Sequence, residues 1–507
     1  MVLRIVTLLT ILLSCFVLEA EVFAQAPEGT LQLDSYLDWE TVSNPRVSPD
    51  GSQILYSRGW VDKMRDRRSS SVWVMNKDGS RNRLLVNGSN ATWSPDGSRI
   101  AFMADGDGGD SQIFVRWMDA EGATTQVTRT QNSASNLRWS PDGTQIAFTM
   151  TVDTPESEWA IELSQEPDGA DWVEGPKVVD RLSYRRDRRG YIDEGYTHVF
   201  TVPAEAGTPK QISDGDWNHS AAEWMPDGAS LIFSSLRVDE AEHEWRESEI
   251  YKAVLATGAI HQLTDRAGPD SGPVPSPDGQ YIAYQGQNFN DDTYRENELY
   301  VMSADGSNPR SLGGEMGRSL GNITWASDGS GVYFNVSMHG TQNLWFAPLN
   351  GQPHEVTSGN HMLSMASIDK DGTAVGTLSS YHKPADVVSF GTGTGDPIVQ
   401  LTRVNDDILN DVTLGQVEEI WYKSVDNFDI QGWIIKPPNF DESKKYPLML
   451  SIHGGPHGMY NVGFNFGWQE HAANGYVILY TNPRGSAGYG SPFGNAIKNA
   501  YPDKDFD

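Results

Sequence analysis

The stretch that decides the fold reads Trp93-Ser94-Pro95-Asp96-Gly97-Ser98-Arg99-Ile100-Ala101-Phe102. Its proline fixes the backbone for a turn, its aspartate can accept bonds from nearby amides, and its glycine tolerates the positive φ at which the chain reverses. The apolar residues that follow suit a short strand buried on both faces. The phrase therefore predicts a tight turn that leads into a core strand.

The same phrase recurs along most of the chain. Seven copies, two of them weak, contain the aspartates Asp50, Asp96, Asp142, Asp227, Asp278, Asp328 and Asp371. Successive aspartates are 46, 46, 85, 51, 50 and 43 residues apart. A spacing in the forties suits four short strands, which form one blade of a β-propeller. An insertion at about residues 153–197 explains the long interval better than an eighth blade without the phrase. The repeats predict an all-β, seven-bladed propeller over about residues 30–410.

The first 24 residues have the layout of a secretory signal peptide. Arg4 precedes an apolar run that is short for a membrane-spanning helix, and the small residue Ala24 follows it. We therefore expect cleavage after Ala24, export to the periplasm or the extracellular space, and no membrane insertion after cleavage. An uncleaved anchor is the alternative. The single cysteine, Cys15, lies inside this segment, so no disulfide is expected in the mature chain.

Charge and composition exclude several classes of protein. The net charge is −30, from 38 Lys and Arg against 68 Asp and Glu, which argues against nucleic-acid binding. No cluster of metal-ligating residues has a recognisable spacing. Asp105, Asp107 and Asp110 lack the glycine and the distant glutamate of a calcium loop, so we interpret them as a blade turn. No metal or cofactor is predicted.

The pattern changes over residues 411–507. Strand-like runs occupy residues 417–423, 430–436, 446–452 and 476–480, and residues 466–474 look helical. The run at 446–452 is continuously apolar, as expected inside a mostly parallel, buried sheet. These features predict the N-terminal portion of an α/β-hydrolase domain.

The third of these runs leads into His453-Gly454-Gly455-Pro456-His457-Gly458. Paired glycines allow a backbone N–H to point into an open site without a Cβ in the way. In acyl transfer such an N–H stabilises the developing oxyanion. The alternative is an ordinary glycine-rich turn. A second glycine-rich loop some thirty residues later, Asn482-Pro483-Arg484-Gly485-Ser486, favours the functional interpretation.

These two loops behind a propeller resemble the prolyl oligopeptidase family of serine peptidases, and in particular its acylaminoacyl-peptidase and dipeptidyl-peptidase-like branch. The resemblance implies a propeller that admits short peptides and a Ser-Asp-His triad that cleaves them through an acyl-enzyme. Carried over, Gly455 supplies an oxyanion-hole N–H, while His453, Gly454 and Pro456 shape the loop. Arg484 is expected to be structural.

The family's catalytic serine, aspartate and histidine are expected beyond Asp507, so this chain alone is predicted to be an inactive, incomplete peptidase. Ser319 lies in a Gly-x-Ser-x-Gly match, but without the strand–turn–helix setting that the motif needs, and we treat it as chance. His457 and His471 are expected to be structural, because the base of this fold comes last in the chain.

Two alternatives concern binding. Asp193 and Glu194 in the insertion could hold a substrate ammonium, since some relatives recognise free N-termini with propeller acids. A solvated hairpin tip paired with the arginines of residues 185–189 is the other interpretation. For the whole chain, the competing hypotheses are a non-catalytic peptide- or protein-binding propeller and another hydrolase, such as an esterase.

Overall fold

A computed structural model describes residues 28–154, 166–173, 177–188, 190–192, 195–244, 246–314 and 316–505. The predicted signal peptide and the two acids Asp193 and Glu194 lie outside the described residues. Within those ranges, no helix has the length and apolar character needed to cross a membrane.

Antiparallel units of four strands make up the larger part of the molecule. The first four units contain β1 (Thr41–Val47), β2 (Gln53–Asp62), β3 (Arg67–Asn76) and β4 (Arg83–Asn87); β5 (Ser89–Trp93), β6 (Arg99–Asp105), β7 (Ser111–Trp117) and β8 (Thr124–Gln126); β9 (Ser135–Trp139), β10 (Gln145–Val152), β13 (Tyr196–Pro203) and β14 (Lys210–Gln211); and β15 (Glu223–Trp224), β16 (Ser230–Ser235), β17 (Glu249–Val254) and β18 (Ala259–Gln262).

Three further units follow. Their strands are β19 (Asp270–Pro275), β20 (Tyr281–Gly286), β21 (Glu298–Ser303) and β22 (Arg310–Ser311); β23 (Leu320–Trp325), β24 (Gly331–Met338), β25 (Thr341–Pro348) and β26 (His354–Glu355); and β27 (Met362–Ile368), β28 (Thr373–Ser380), β29 (Lys383–Gly391) and β30 (Ile398–Gln400). The last two units share one sheet through a single parallel pair, Gln342 with Met362.

The long interval between copies of the phrase falls inside the third unit. Its second strand, β10, pairs directly with β13, and the described residues between them are not part of that sheet. The described part of this insertion contains a two-stranded sheet of β11 (Arg185–Arg186) and β12 (Gly190–Tyr191). The described residues therefore place an insertion here, and no further four-stranded unit.

Each copy of the phrase forms the predicted turn between the first two strands of its unit. In the second unit, Asp96 accepts bonds from the Ser94 hydroxyl at 2.6 Å and from the Ser98 N–H at 3.1 Å. The bond from the Ser94 hydroxyl, together with one from the Ser98 hydroxyl at 2.7 Å, lowers the pKa of Asp96 to about 2. Gly97 has a φ of 70°, which is the positive value that the turn requires.

The tryptophan of the phrase joins neighbouring units. The indole N–H groups of four of them donate to carbonyls of the preceding unit's first strand: Trp93 to Arg46 (3.1 Å), Trp139 to Thr92 (3.3 Å), Trp224 to Arg138 (3.1 Å) and Trp325 to Val274 (2.9 Å). A buried ring that also satisfies a backbone carbonyl fixes the separation of two sheets.

The first and last units also contact each other. Val42 and Ile54 of the first unit share a core cluster with Val375 and Val387 of the last one. At the edge of this contact, the Val47 N–H donates to the Ser367 hydroxyl at 2.9 Å. The units therefore close on themselves through packing and side-chain bonds, without a shared sheet.

The second domain contains β31 (Gln416–Lys423), β32 (Asp429–Lys436), β33 (Leu448–Ser451) and β34 (Val477–Asn482), in the order β31-β32-β34-β33. The prediction that residues 446–452 lie inside a mostly parallel sheet is wrong for the described sheet. Only β33 and β34 are parallel, since β31 and β32 form a hairpin that pairs antiparallel with β34. The strand β33 lies at one end of the sheet.

Short helices complete the described structure: Asp406–Leu409, Phe466–Ala473 and Ser491–Gly494, with 3-10 turns at Leu33–Leu37 and Asn495–Ile497. The helix predicted at residues 466–474 is confirmed, and Asn465 caps it by accepting from the Trp468 N–H at 3.0 Å. Residues 30–39 precede the propeller and contact the second domain, where Trp39 stacks on Phe464 with ring centroids 5.2 Å apart.

Candidate active site

The loop of residues 453–458 leaves the carboxyl end of β33. Gly455 has a φ of 142°, a conformation that L side chains rarely adopt. A Cβ placed there would lie 2.8 Å from the backbone nitrogens of both His457 and Gly458. Gly455 is exposed, and its N–H has no acceptor among the residues that the structure describes. The position therefore requires glycine and presents an uncommitted donor.

His453 holds the start of this loop. Its Nε2 lies 2.9 Å from the Ser486 hydroxyl, and that hydroxyl donates to the Pro483 carbonyl at 2.6 Å. Because the serine proton is committed to the carbonyl, the imidazole Nε2–H is the donor to Ser486 Oγ. Burial lowers the pKa of His453, which keeps the ring neutral near pH 7. His453 thus connects the two glycine-rich loops.

A second contact between the loops comes from His457. Its Nδ1–H donates to the Gly485 carbonyl at 2.8 Å. The Ala487 N–H donates to the Gly458 carbonyl at 3.0 Å. With these bonds the loop around Gly455 is fixed against the loop after β34, so the backbone donor is held in place before any ligand arrives.

Arg484 connects the loop after β34 to the turn between β31 and β32. Only 5% of this residue is exposed, and its guanidinium binds both carboxylate oxygens of Asp426 and the Ser424 hydroxyl. The Arg484 bond lowers the pKa of Asp426 to about 2. The guanidinium also lies over the Phe428 ring, 5.1 Å from its centroid. The partners of Arg484 within the described residues lie in the β31–β32 turn, which is consistent with a structural role.

Two propeller residues that no sequence motif marks reach this region. Tyr294 packs against the His457 ring at 5.2 Å and accepts from the Gly488 N–H at 3.4 Å. His339 donates its backbone N–H to the Gly488 carbonyl at 3.2 Å. Both lie in hairpins between the second and third strands of their units. The only available signal for Tyr294 was the length of its hairpin.

The remaining candidates are separate from this loop. Ser319 precedes β23 directly, so its Gly-x-Ser-x-Gly match is not a strand–turn–helix. His471 lies on the helix with its Nδ1 2.8 Å from its neighbour Glu470. Asp105 is the last residue of β6, and Asp107 and Asp110 lie in the turn between β6 and β7. Across the described ranges, no group of three or more His, Cys, Asp or Glu is arranged to hold a metal ion.

The fold and the loops together define a class of protein, a β-propeller packed against a second, mixed sheet that carries two glycine-rich loops. Solved structures share this fold. The acylaminoacyl peptidase of Pyrococcus horikoshii matches 93% of this chain and 70% of its own chain with a TM-score of 0.76 at 21% identity. A Mycobacterium tuberculosis puromycin-hydrolyzing peptidase matches 93% and 71% with a TM-score of 0.64 at 15% identity.

Curated relatives are peptidases. The chain is 28% identical over 491 residues to an uncharacterized peptidase, YuxL, of Bacillus subtilis. The aligned region covers 92% of this chain and 73% of the relative. It is 27% identical over 490 residues to dipeptidyl-peptidase 5 of Porphyromonas gingivalis, covering 92% and 69%. No family model matches the chain. The relatives and the shared fold support a peptidase of the prolyl oligopeptidase family.

Proposed function

We propose that this chain is the propeller and the N-terminal hydrolase portion of an exported serine peptidase that cleaves short peptides through an acyl-enzyme. In this proposal the seven four-stranded units are the seven blades of the propeller. The serine, aspartate and histidine of the triad lie beyond Asp507. The Gly455 N–H stabilises the oxyanion that forms when the serine attacks the peptide carbonyl.

The geometry of Gly455 is the observation that carries the proposal. An ordinary turn needs no free donor, whereas an oxyanion hole needs one that is fixed and accessible. Gly455 combines a conformation that excludes other residues with an N–H that has no acceptor in the described structure. His453 and His457 hold the surrounding loop through Ser486 and Gly485.

The surface of β33 supports a hydrolase sheet with further elements. Leu448 and Leu450 of β33 and Ile452 directly after it alternate along the chain and are 61%, 53% and 71% exposed. Strands of α/β sheets carry apolar residues on both faces because helices cover both. We therefore propose that elements beyond the described residues cover this face and extend the sheet past β33, and that one of them carries the nucleophile.

The proposed substrate class is taken from the names of the curated relatives. Several of the curated relatives are named dipeptidyl-peptidase 5, so we propose removal of dipeptides from the free N-termini of short peptides. The propeller contacts the Gly455 loop through the ring of Tyr294 on His457 and the loop after β34 through bonds of Tyr294 and His339 to Gly488, which suits a cap that limits the size of the substrate.

A panel of substrates tests the proposed activity on the gene product with its natural continuation. A dipeptidyl-aminomethylcoumarin should be cleaved, while its N-acetylated form should be cleaved much more slowly. Faster cleavage of the acetylated form would exclude a dipeptidyl-peptidase. Turnover of p-nitrophenyl esters without turnover of any peptide would instead identify an esterase.

Export is a separate part of the proposal and rests on residues 1–24. Mass spectrometry of the protein from a culture fraction outside the cytoplasm should find Gln25 as its first residue. A lipidated Cys15 or an intact Met1 on the exported protein would contradict cleavage after Ala24.

A further inference from the structure

A buried polar side chain that the proposed mechanism does not use lies beside the Gly455 loop. Asn482 is the last residue of β34 and is fully buried. Its Oδ1 accepts from the Tyr460 N–H at 2.7 Å, and its Nδ2 donates to the Tyr460 carbonyl at 2.9 Å. An asparagine that bonds to both backbone groups of one residue replaces the bonds that a neighbouring strand would make. Asn482 therefore holds the chain at Tyr460 against the end of β34.

Tyr460 in turn closes the base of the loop. Its hydroxyl lies 2.9 Å from the hydroxyl of Ser451, the last residue of β33. Its ring packs edge-on against the His453 ring, with centroids 5.0 Å apart. The chain enters the loop after Ser451 and leaves it at Tyr460, so these contacts join the two ends of the segment that contains Gly455.

A second set of bonds fixes the orientation of the Asn482 amide. Its other N–H donates to the Tyr489 hydroxyl at 2.7 Å, and that hydroxyl donates to Oε1 of Gln431. Gln431 is a buried residue of β32, and its Nε2 donates to the His339 carbonyl of the propeller at 3.1 Å. An amide with both N–H groups and its oxygen bonded cannot turn without losing bonds. The side chain of Asn482 is therefore fixed before any substrate binds.

We infer that Asn482 is a positioning residue for the backbone donor of Gly455. His453 and His457 hold the first part of the loop, and Asn482 holds its far end through the backbone of Tyr460. The inference rests on the proposed function, because the position of the donor affects the reaction only if an oxyanion forms beside it. Since the oxyanion is present only in the transition state, a misplaced donor lowers kcat and leaves KM nearly unchanged.

Asn482→Ala in the gene product with its natural continuation tests this role. Loss of a whole oxyanion donor lowers kcat by about 10² to 10³. A donor that is misplaced and not removed should lower kcat by about tenfold to a hundredfold, with KM changed by less than about twofold. A folded Asn482→Ala enzyme with the kcat of the wild type would overturn the inference.

Asn405→Ala is the matched control. Asn405 is 1% exposed and bonds to both backbone groups of Glu40, accepting from its N–H at 2.9 Å and donating to its carbonyl at 3.0 Å. The substitution removes the same pair of bonds at a position outside the Gly455 loop. It should lower the melting temperature and leave kcat unchanged. An equal decrease in kcat in both variants would show a general loosening of the fold and contradict a positioning role.

Combination with Gly455→Val separates this inference from the proposed function. If Asn482 acts through Gly455, the double variant should have about the same kcat as Gly455→Val alone, because the donor is already displaced. Two effects that multiply would overturn the inference and leave the proposed function intact. A normal kcat in folded Gly455→Val would instead contradict the proposed oxyanion donor itself.

Tyr489→Phe is a milder variant that decides the question if Asn482→Ala does not fold. It keeps the ring and both bonds between Asn482 and Tyr460, but it leaves one buried N–H of Asn482 without its acceptor. We expect kcat to decrease by about threefold or more with KM unchanged. An unchanged kcat in Tyr489→Phe would overturn the inference.

Discussion

At the scale of single residues, the candidate site depends on backbone more than on side chains. Gly455 matters for the N–H it presents, and its neighbours matter for how firmly they hold that N–H. His453 is neutral, because burial lowers its pKa, and it donates to Ser486. The sequence allowed Gly455 to be chosen because paired glycines after an apolar strand have few other uses. It could not show the bonds from His453 and His457, which depend on how the second loop folds back.

Replacement of Gly455 by valine tests the donor in the enzyme that contains the triad. The β-branched side chain cannot adopt a φ of 142° without strain and would collide with the nitrogens of His457 and Gly458. Loss of one oxyanion donor lowers kcat by about 10² to 10³, and we expect a decrease of that size with an unchanged circular dichroism spectrum. Gly108→Val is the matched control, because a Cβ at Gly108 meets nothing within 4 Å. Near-normal kcat in folded Gly455→Val would remove Gly455 from the site.

The ion pair of Asp426 with Arg484 predicts a pH dependence of stability. The pKa of Asp426 is about 2 in the folded chain, below the ordinary value of about 3.9. A lowered folded pKa stabilises the protein above the unfolded pKa, and this contribution is lost as the pH falls through the folded pKa. The difference in melting temperature between wild type and Asp426→Asn should therefore be largest above pH about 4 and should narrow toward pH about 2. A constant difference across this range would contradict the ion pair.

At the scale of elements, the repeated phrase has two structural roles. Its Ser-Pro-Asp-Gly segment makes the turn, which turn chemistry predicts from the sequence alone. Its tryptophan joins one unit to the next, which the sequence did not predict, because the acceptor is a carbonyl some 47 residues earlier for Trp93 and Trp139. The position of β33 at the end of the described sheet was also missed, since an apolar run does not reveal which neighbours cover it.

The tryptophan bond between units can be measured through Trp224. In Trp224→Phe the ring remains apolar, but the bond to the Arg138 carbonyl, 3.1 Å long in the wild type, is lost. We expect a decrease of about 1–2 kcal/mol in the free energy of unfolding, determined by urea denaturation. Trp172→Phe provides the control, because this indole is 52% exposed in the insertion. Equal effects of the two substitutions would show that the indole bond does not join the units.

At the scale of the whole molecule, the propeller and the second domain meet through elements that are far apart in the chain. Asn495 exchanges two bonds with the backbone of Tyr294, at 3.0 Å each, and Lys498 pairs with Asp292 at 2.9 Å. The periodicity of the phrase was enough to predict the propeller, because each unit is local in sequence. The contact between domains could not be predicted, since the hairpin of Tyr294 carries no motif and reaches the second domain only through the tertiary arrangement.

Activity-based labelling with a fluorophosphonate, followed by mass-spectrometric mapping of the labelled serine, tests the peptidase proposal most directly. The probe reacts with a serine only when a neighbouring base activates it. The gene product with its natural continuation should be labelled at one serine beyond Asp507, in a Gly-x-Ser-x-Gly turn, and the 507-residue chain should remain unlabelled. Stoichiometric labelling of the 507-residue chain, at Ser319 or at any other serine, would contradict the proposal.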